Sequence, residues 1–214
     1  MSEHYVDVFD ENYQWKGVAL KSEAHNQGLW HRVFSCLIVD STTRSVFFQK
    51  KQPFCYSFER PDYIDVSVGG HYIAGEKIEE GIREFKEETG IEIQYSDLIN
   101  LGIRRSVFSI GDYKCFEYQH MHLYDLKGER PGFNGDMKEI KAFVEVNVDQ
   151  AISLLLKDSY EIDAIQYYKN KIAVYKMTYN EIDPAYMTGD KLMLRLLIAA
   201  LRYMQGEDKR LIFL

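Results

Sequence analysis

Three carboxylates define the chemistry open to this chain. Glu84, Glu87 and Glu88 fall at i, i+3 and i+4, so on a helix they crowd one face of a single turn. Like charges at that spacing repel, and carboxylates near a helix C-terminus also meet the negative end of the macrodipole, each effect opposing the helix by about a few tenths of a kcal/mol. A divalent cation relieves both, and oxygen ligands with open positions suit Mg²⁺ or Mn²⁺. A solvated acidic helix face is the alternative for an acidic run taken alone. What sets this run apart is the stretch before it, Gly69-Gly70-His71-Tyr72-Ile73-Ala74-Gly75-Glu76, and the Arg83-Glu84 pair that opens it. Ile78, Ile82 and Phe85 have the spacing of a helix buried on one side, and Gly90 is placed to stop that helix as a left-handed cap.

Gly70, Glu76, Arg83, Glu84, Phe85, Glu87, Glu88, Gly90 and Ile91, in that order, resemble the Nudix box. Six residues, Lys77 to Ile82, separate Glu76 from Arg83 where the family has seven, a shortening expected at the loop-to-helix junction. The resemblance implies an α/β fold, an α/β/α sandwich around a mixed β-sheet, over roughly Tyr5 to Leu156. It implies hydrolysis of a small-molecule diphosphate linked to another moiety, with Glu84, Glu87 and Glu88 holding Mg²⁺ or Mn²⁺ and a backbone carbonyl near Gly70 as a further ligand. Arg83 would turn away from the metal and pair with Glu76, bracing the loop. A general base from outside the box is expected at Glu139, with Glu117 and Glu145 behind it. Lys51, closing the strand before the box, is the candidate phosphate contact; a charged strand edge is the alternative for Lys50 and Lys51. Arg104 and Arg105 are further candidates for binding substrate.

Upstream residues narrow the likeness. Val8-Phe9-Asp10-Glu11, Gly17, His25, His31-Arg32-Val33-Phe34-Ser35 and Ser67-Val68-Gly69-Gly70-His71 are similar to the Nudix branch that contains type I isopentenyl-diphosphate isomerases. Those enzymes use histidines near these positions for a metal site and a cysteine beside the loop histidine for proton transfer. Gly69 stands in the cysteine's place, so one of the two proton-transfer groups is missing, and the hydrolase box is intact. Hydrolysis is therefore the expected activity, with an isomerase and a non-catalytic nucleotide-binding module as the alternatives. His25, His31 and His71 are either packed residues or ligands that favour Mn²⁺ or Zn²⁺ over Mg²⁺. His120 and His122 either stack on a base or are satisfied within a sheet face.

Composition excludes several other classes. The net charge of −7 over 214 residues argues against a nucleic-acid polymer or an anionic membrane as partner. Cys36, Cys55 and Cys115 have spacings that suit neither a disulfide framework nor a zinc site, so a reducing cytoplasm is expected. The N-terminus carries neither a basic n-region nor an apolar h-region, so no secretory signal is expected. The longest apolar run, Leu192 to Met204, is short and interrupted by Arg195 and Arg202.

The elements that must position these residues are legible in outline. Tyr5 to Phe9 and Trp15 to Leu20 read as paired strands. Phe34 to Val39 and Ser45 to Gln49 form a hairpin across a polar turn. Asp65 to Val68 feeds the glycine turn, and Ile91 to Ile93 and Leu98 to Ser109 look extended. Tyr113 to Asp125 alternates, with Phe116, Tyr118, His120, His122 and Tyr124 on one face and Cys115, Glu117, Gln119, Met121 and Leu123 on the other. Gly128 to Gly135 is a loop, Glu139 to Val146 a strand, and Asp149 caps a helix to Leu156. Residues 1–157 make the Nudix domain. Residues 158–214 form a helical C-terminal extension, its strongest helix opening at Thr188, that serves as packing, lid or homodimer surface.

Overall fold

The structure, a computed structural model, describes residues 3–52, 63–129, 132–135, 138–168, 171–184 and 189–214. Cys55 and Thr188 lie outside them. The organising strand is β3 (Trp30–Asp40). Along one side it takes β8 (Tyr113–Asp125) in parallel, from His31↔Glu117 to Val39↔Asp125. Along the other it takes three antiparallel partners in turn: β1 (Tyr5–Phe9), β6 (Val68–His71) and β4 (Ser45–Lys51). β7 (Ile99–Ile110) pairs with β8, and β2 (Trp15–Leu20) pairs with β1. β9 (Ile140–Asn147) pairs with β4. The sheet is mixed, as the family likeness implied.

The segment between β4 and the box helix is a wedge. Its first strand, β5 (Ile64–Asp65), pairs with β4, and β6 pairs with β3, so Ile64 to His71 fills the place where β4 leaves β3. The expected single strand from Asp65 to Val68 is thus two, divided at Val66-Ser67. Behind it a 3-10 turn, Ile78–Gly81, leads into α2 (Ile82–Thr89). Gly90 ends that helix with φ 75°, where an L side chain would be strained. Ile91 to Ile93 forms no strand.

The strand period sorts the side chains into two layers. Phe34, Cys36 and Ile38 of β3 meet Phe85 of α2 in one core. Leu37 and Val39 meet the other, which holds α3 (Val148–Leu155) and α4 (Leu192–Met204). The start of α3 corrects the expected cap: Asn147, not Asp149, accepts from the amides of Asp149 and Gln150.

Among the described residues, the α-helix of the extension is confined to Leu192–Met204. Glu161–Tyr168 (β10) and Lys171–Thr178 (β11) form an antiparallel hairpin that continues the sheet beyond β9. Ile162, Ala164 and Met177 face the same core as α4, so alternation with charges there marks strand rather than helix. Among the described residues no helix is long and apolar enough to cross a membrane.

Candidate active site

One cleft gathers residues from both halves of the wedge. Gln49 and Lys51 of β4, Gly69, Gly70 and His71 of β6, and Glu117 and Gln119 of β8 all line it. The box helix meets it through Glu88, a buried carboxylate that accepts from Lys51 Nζ (2.7 Å), Gln49 Nε2 (3.0 Å) and the Gly69 amide (3.0 Å). Lys50 and Lys51 are both buried, because β4 is an interior strand. They point to opposite faces, Lys50 to Glu181 (2.8 Å) and Lys51 to Glu88.

Glu84 is pressed against Gly70 so closely that a Cβ on Gly70 would lie 2.1 Å from the Glu84 carboxyl carbon. Only glycine permits that approach. Burial raises the Glu84 pKa to about 7; Arg83 opposes the rise, and Glu88 and Glu87 add to it. Burial is the main cause of the rise, so additional positive charge beside this carboxyl would favour its ionised form.

Arg83 departs from expectation in part. It pairs with Glu76 (2.9 Å), and it also reaches Glu84 (3.0 Å), Glu87 (3.0 Å) and the His71 carbonyl (3.3 Å). The guanidinium lies among the carboxylates rather than away from them. Burial works against its charge, but the surrounding acids outweigh burial and raise its pKa. Glu87, half exposed, is held by Arg83 (3.0 Å).

Glu139 is exposed; its carbonyl accepts from the Gln52 amide (2.7 Å), and its charge acts on Lys21 as those of Glu84 and Glu117 do. The remaining candidates scatter. Glu145 is taken up by Ser45 (2.7 Å) and Tyr167, outside the cleft. Arg104 is committed to Asp190 (2.8 and 3.0 Å) and Gln119 (2.6 Å). Arg105 lies on the opposite face of β7, stacked over Trp30 at 4.9 Å, because adjacent residues on a strand alternate sides. His120 and His122 are satisfied within the sheet by Tyr13 (2.7 Å) and by Tyr95 (3.2 Å).

A second cluster forms on the cleft face. Ligand atoms of His25, His31, His71 and Glu117 lie within 4.8 Å of one another, and among the described residues this is the group of three or more that converges so closely. Register explains it: His31 sits beside Glu117 across the parallel β3–β8 pairing, and His71 beside Val33 across β3–β6. The short helix α1 (Lys21–Gln27) adds His25. Burial lowers the pKa of His25 and of His31 to about 4 and that of His71 well below its ordinary value, so all are neutral at pH 7. His25 Nδ1 and His31 Nδ1 bond to the carbonyls of Lys114 (2.9 Å) and Leu29 (2.8 Å). His31 Nε2 is left buried with no hydrogen-bond partner. His25 Nε2 pairs with His71 Nε2 (2.9 Å), whereas His31, neutral, anchored through one nitrogen and bare at the other, has the arrangement of a metal ligand.

Lys21, absent from the sequence-based candidates, is a partly buried cation whose charge acts on members of both groups. Burial lowers its pKa, opposed by Glu139, Glu84 and Glu117, and its charge in turn lowers those of His31 and His71. No motif marks it; only the fold of α1 over β8 brings it here.

Residues 29–169 match the NUDIX domain family. The chain belongs to the Nudix family. An uncharacterized Nudix hydrolase of Clostridium acetobutylicum is 35% identical to this Nudix chain over 157 residues, 72% of this chain and 75% of the relative. Among solved structures, a Deinococcus radiodurans protein has a TM-score of 0.49 at 20% identity, covering 72% of this chain and 90% of that one. A MutT/Nudix family protein of Enterococcus faecalis has a TM-score of 0.43 at 13% identity, covering 84% of this chain and 75% of that one. Nudix hydrolases act on phosphoric anhydride bonds and generally use divalent metal ions, and this chain is a hydrolase of that class.

Proposed function

We propose that the chain is a divalent-metal-dependent pyrophosphohydrolase that splits a nucleoside diphosphate linked to another moiety into two phosphorylated products. The observation that carries this reading is the placement of Glu84: a partly buried carboxylate one turn from Glu88 and Glu87, pressed against Gly70 where no Cβ would fit. Glu84, Glu87 and Glu88 would hold Mg²⁺ or Mn²⁺, with the Gly70 peptide alongside. His25, His31, His71 and Glu117 would hold a second ion, and three imidazoles favour Mn²⁺ or Zn²⁺ over Mg²⁺ there. The ions supply neutralisation of the charge on the phosphate oxygens, the main requirement of P–O cleavage.

The chain's own residues do the rest. Lys21 and Lys51 draw the diphosphate into the cleft. Glu139 accepts a proton from the attacking water as its oxygen bonds to phosphorus and the bridging P–O bond breaks. Arg83, tied to Glu76, keeps the loop and the box helix in register. Phe108, Ile110 and Tyr113 line the same cleft and offer apolar surface to a moiety such as a nucleobase.

A screen for release of phosphomonoester products, resolved by anion-exchange chromatography, tests this reading. It would cover nucleoside di- and triphosphates, nucleotide sugars, dinucleotides and isopentenyl diphosphate, with Mg²⁺ and with Mn²⁺. Release that disappears in Glu88→Gln is the expected result. Tight ligand binding without release would identify a binding module instead, and allylic proton exchange without release would identify an isomerase.

A further inference from the structure

A continuous line of hydrogen bonds runs from the C-terminal extension to the histidine cluster. Asp190, just before α4, accepts from Arg104 Nε (2.8 Å) and Nη2 (3.0 Å). Arg104 Nη1 donates to Gln119 Oε1 (2.6 Å). Gln119 Nε2 donates to Glu117 Oε2 (2.7 Å). The other oxygen of Glu117 lies 4.0 Å from His31 Nε2, the buried nitrogen that has no partner.

The geometry points to Gln119, Arg104 and Asp190 as positioning residues that aim Glu117 at the second metal site. The inference rests on the reading of His25, His31, His71 and Glu117 as that site. Each link has one sense only. A guanidinium has donors and no acceptor, so Arg104 must meet the carbonyl end of the Gln119 amide. That leaves the NH₂ end toward Glu117, which therefore presents an acceptor, its carboxylate, to Gln119 and keeps its second oxygen for the cluster. Gln119 and Glu117 are both buried, where a wrongly turned amide would leave polar atoms unmatched. The pairs Arg104↔Gln119 and Ser106↔Glu117 lie side by side on one face of the β7–β8 ladder, so the line follows the sheet. Asp190 is also bonded by Arg195 of α4 (2.9 Å), which ties the line to the extension. In this arrangement the extension tunes the metal site without touching it.

Mn²⁺ affinity, read by competition with a chelating dye on the full chain, tests the line. The d–d absorption of the Co²⁺-loaded protein reports the ligand geometry independently of turnover. Gln119→Leu is expected to weaken binding by about 10–100-fold, the usual loss when a partner of a ligand is removed. Asp190→Asn is expected to act in the same direction by a smaller factor, with a shifted Co²⁺ spectrum and the melting temperature of the metal-free protein preserved. His31→Ala, which removes a ligand, should abolish the high-affinity ion. If His31→Ala abolishes it while both other variants bind within about twofold of wild type with unchanged spectra, the positioning line is wrong and the site stands. If wild type binds no more Mn²⁺ than His31→Ala, the site itself is wrong, and the line with it. Should Gln119→Leu fail to fold, Asp190→Asn, altered at an exposed residue outside both cores, decides alone.

Discussion

Lys51 Nζ lies 2.7 Å from Glu88 Oε1, and each side chain is less than one-tenth exposed. The pair joins the interior strand β4 to the box helix α2. Gln49 and the Gly69 amide complete the donors around the same carboxylate. Removing one partner of a buried pair strands the other charge, which costs about 3–5 kcal/mol. Lys51→Met should therefore lower stability by about 3 kcal/mol in denaturant titration, and adding Glu88→Gln to it should restore part of the loss. Equal stability of Lys51→Met and wild type would show that the pair is not formed in solution.

Gly70→Ala places a methyl group where the Glu84 carboxylate lies, 2.1 Å from its carboxyl carbon. The carboxylate must leave, because the glycine is part of β6 and its backbone is held by β3. Metal-dependent hydrolysis should fall by at least about 100-fold, as for a displaced catalytic group, while circular dichroism stays native. Activity within twofold of wild type would refute the placement of Glu84.

The metal-free protein should gain stability from Glu84→Gln at pH 8. The Glu84 pKa is raised from 4.5 to about 7 in the fold, so between those values the folded state binds more protons than the unfolded state. Its contribution to stability therefore falls as pH rises through that window. Removing the charge should return on the order of 1–2 kcal/mol, read as a higher denaturation midpoint without metal. Wild type alone should regain it on adding Mn²⁺.

His25 and His31 act in the opposite sense. Their folded pKa values of about 4 lie below the ordinary 6.5, so the unfolded chain binds more protons between pH 6.5 and 4. The stability they contribute is complete above about pH 6.5 and is lost as pH falls toward 4. Glu84 offsets one proton of this over the shared window. Denaturant titrations at pH 7 and pH 5 should show the drop, and His31→Gln should reduce it. A drop unchanged in that variant would place the acid sensitivity elsewhere.

Leu196→Ala in α4 should cost about 2–5 kcal/mol, the usual range for a fully buried leucine. Leu196 shares one core with Leu37 and Val39 of the central strand and with Leu154 of α3. A chain ending at residue 157 should accordingly fail to fold cooperatively, which a thermal melt would show. A cooperative melt of that fragment would establish the extension as separable.

The local parts of this protein are legible in the order of its residues. Helix periodicity and the Gly90 cap marked α2, strict alternation sorted the faces of β8, and the spacing of Gly70, Glu76, Arg83, Glu84, Glu87 and Glu88 identified the Nudix box. These signals lie within a few residues of one another, where backbone geometry alone relates the side chains. Tyrosines, Ile and Ala alternate with charges from Tyr160 to Tyr179, a stretch expected to belong to a helical extension, and it forms the β10–β11 hairpin instead. The rest depends on register between distant strands. The parallel pairing of β3 with β8 sets His31 beside Glu117 across more than eighty residues of chain. The wedge from Ile64 to His71 brings Lys51 to Glu88, alternation along β7 sends Arg104 and Arg105 to opposite faces, and α1 carries Lys21 and His25 over β8. A one-residue slip in any of these pairings would turn every side chain to the other face, and nothing local in the chain reports which register the core selects.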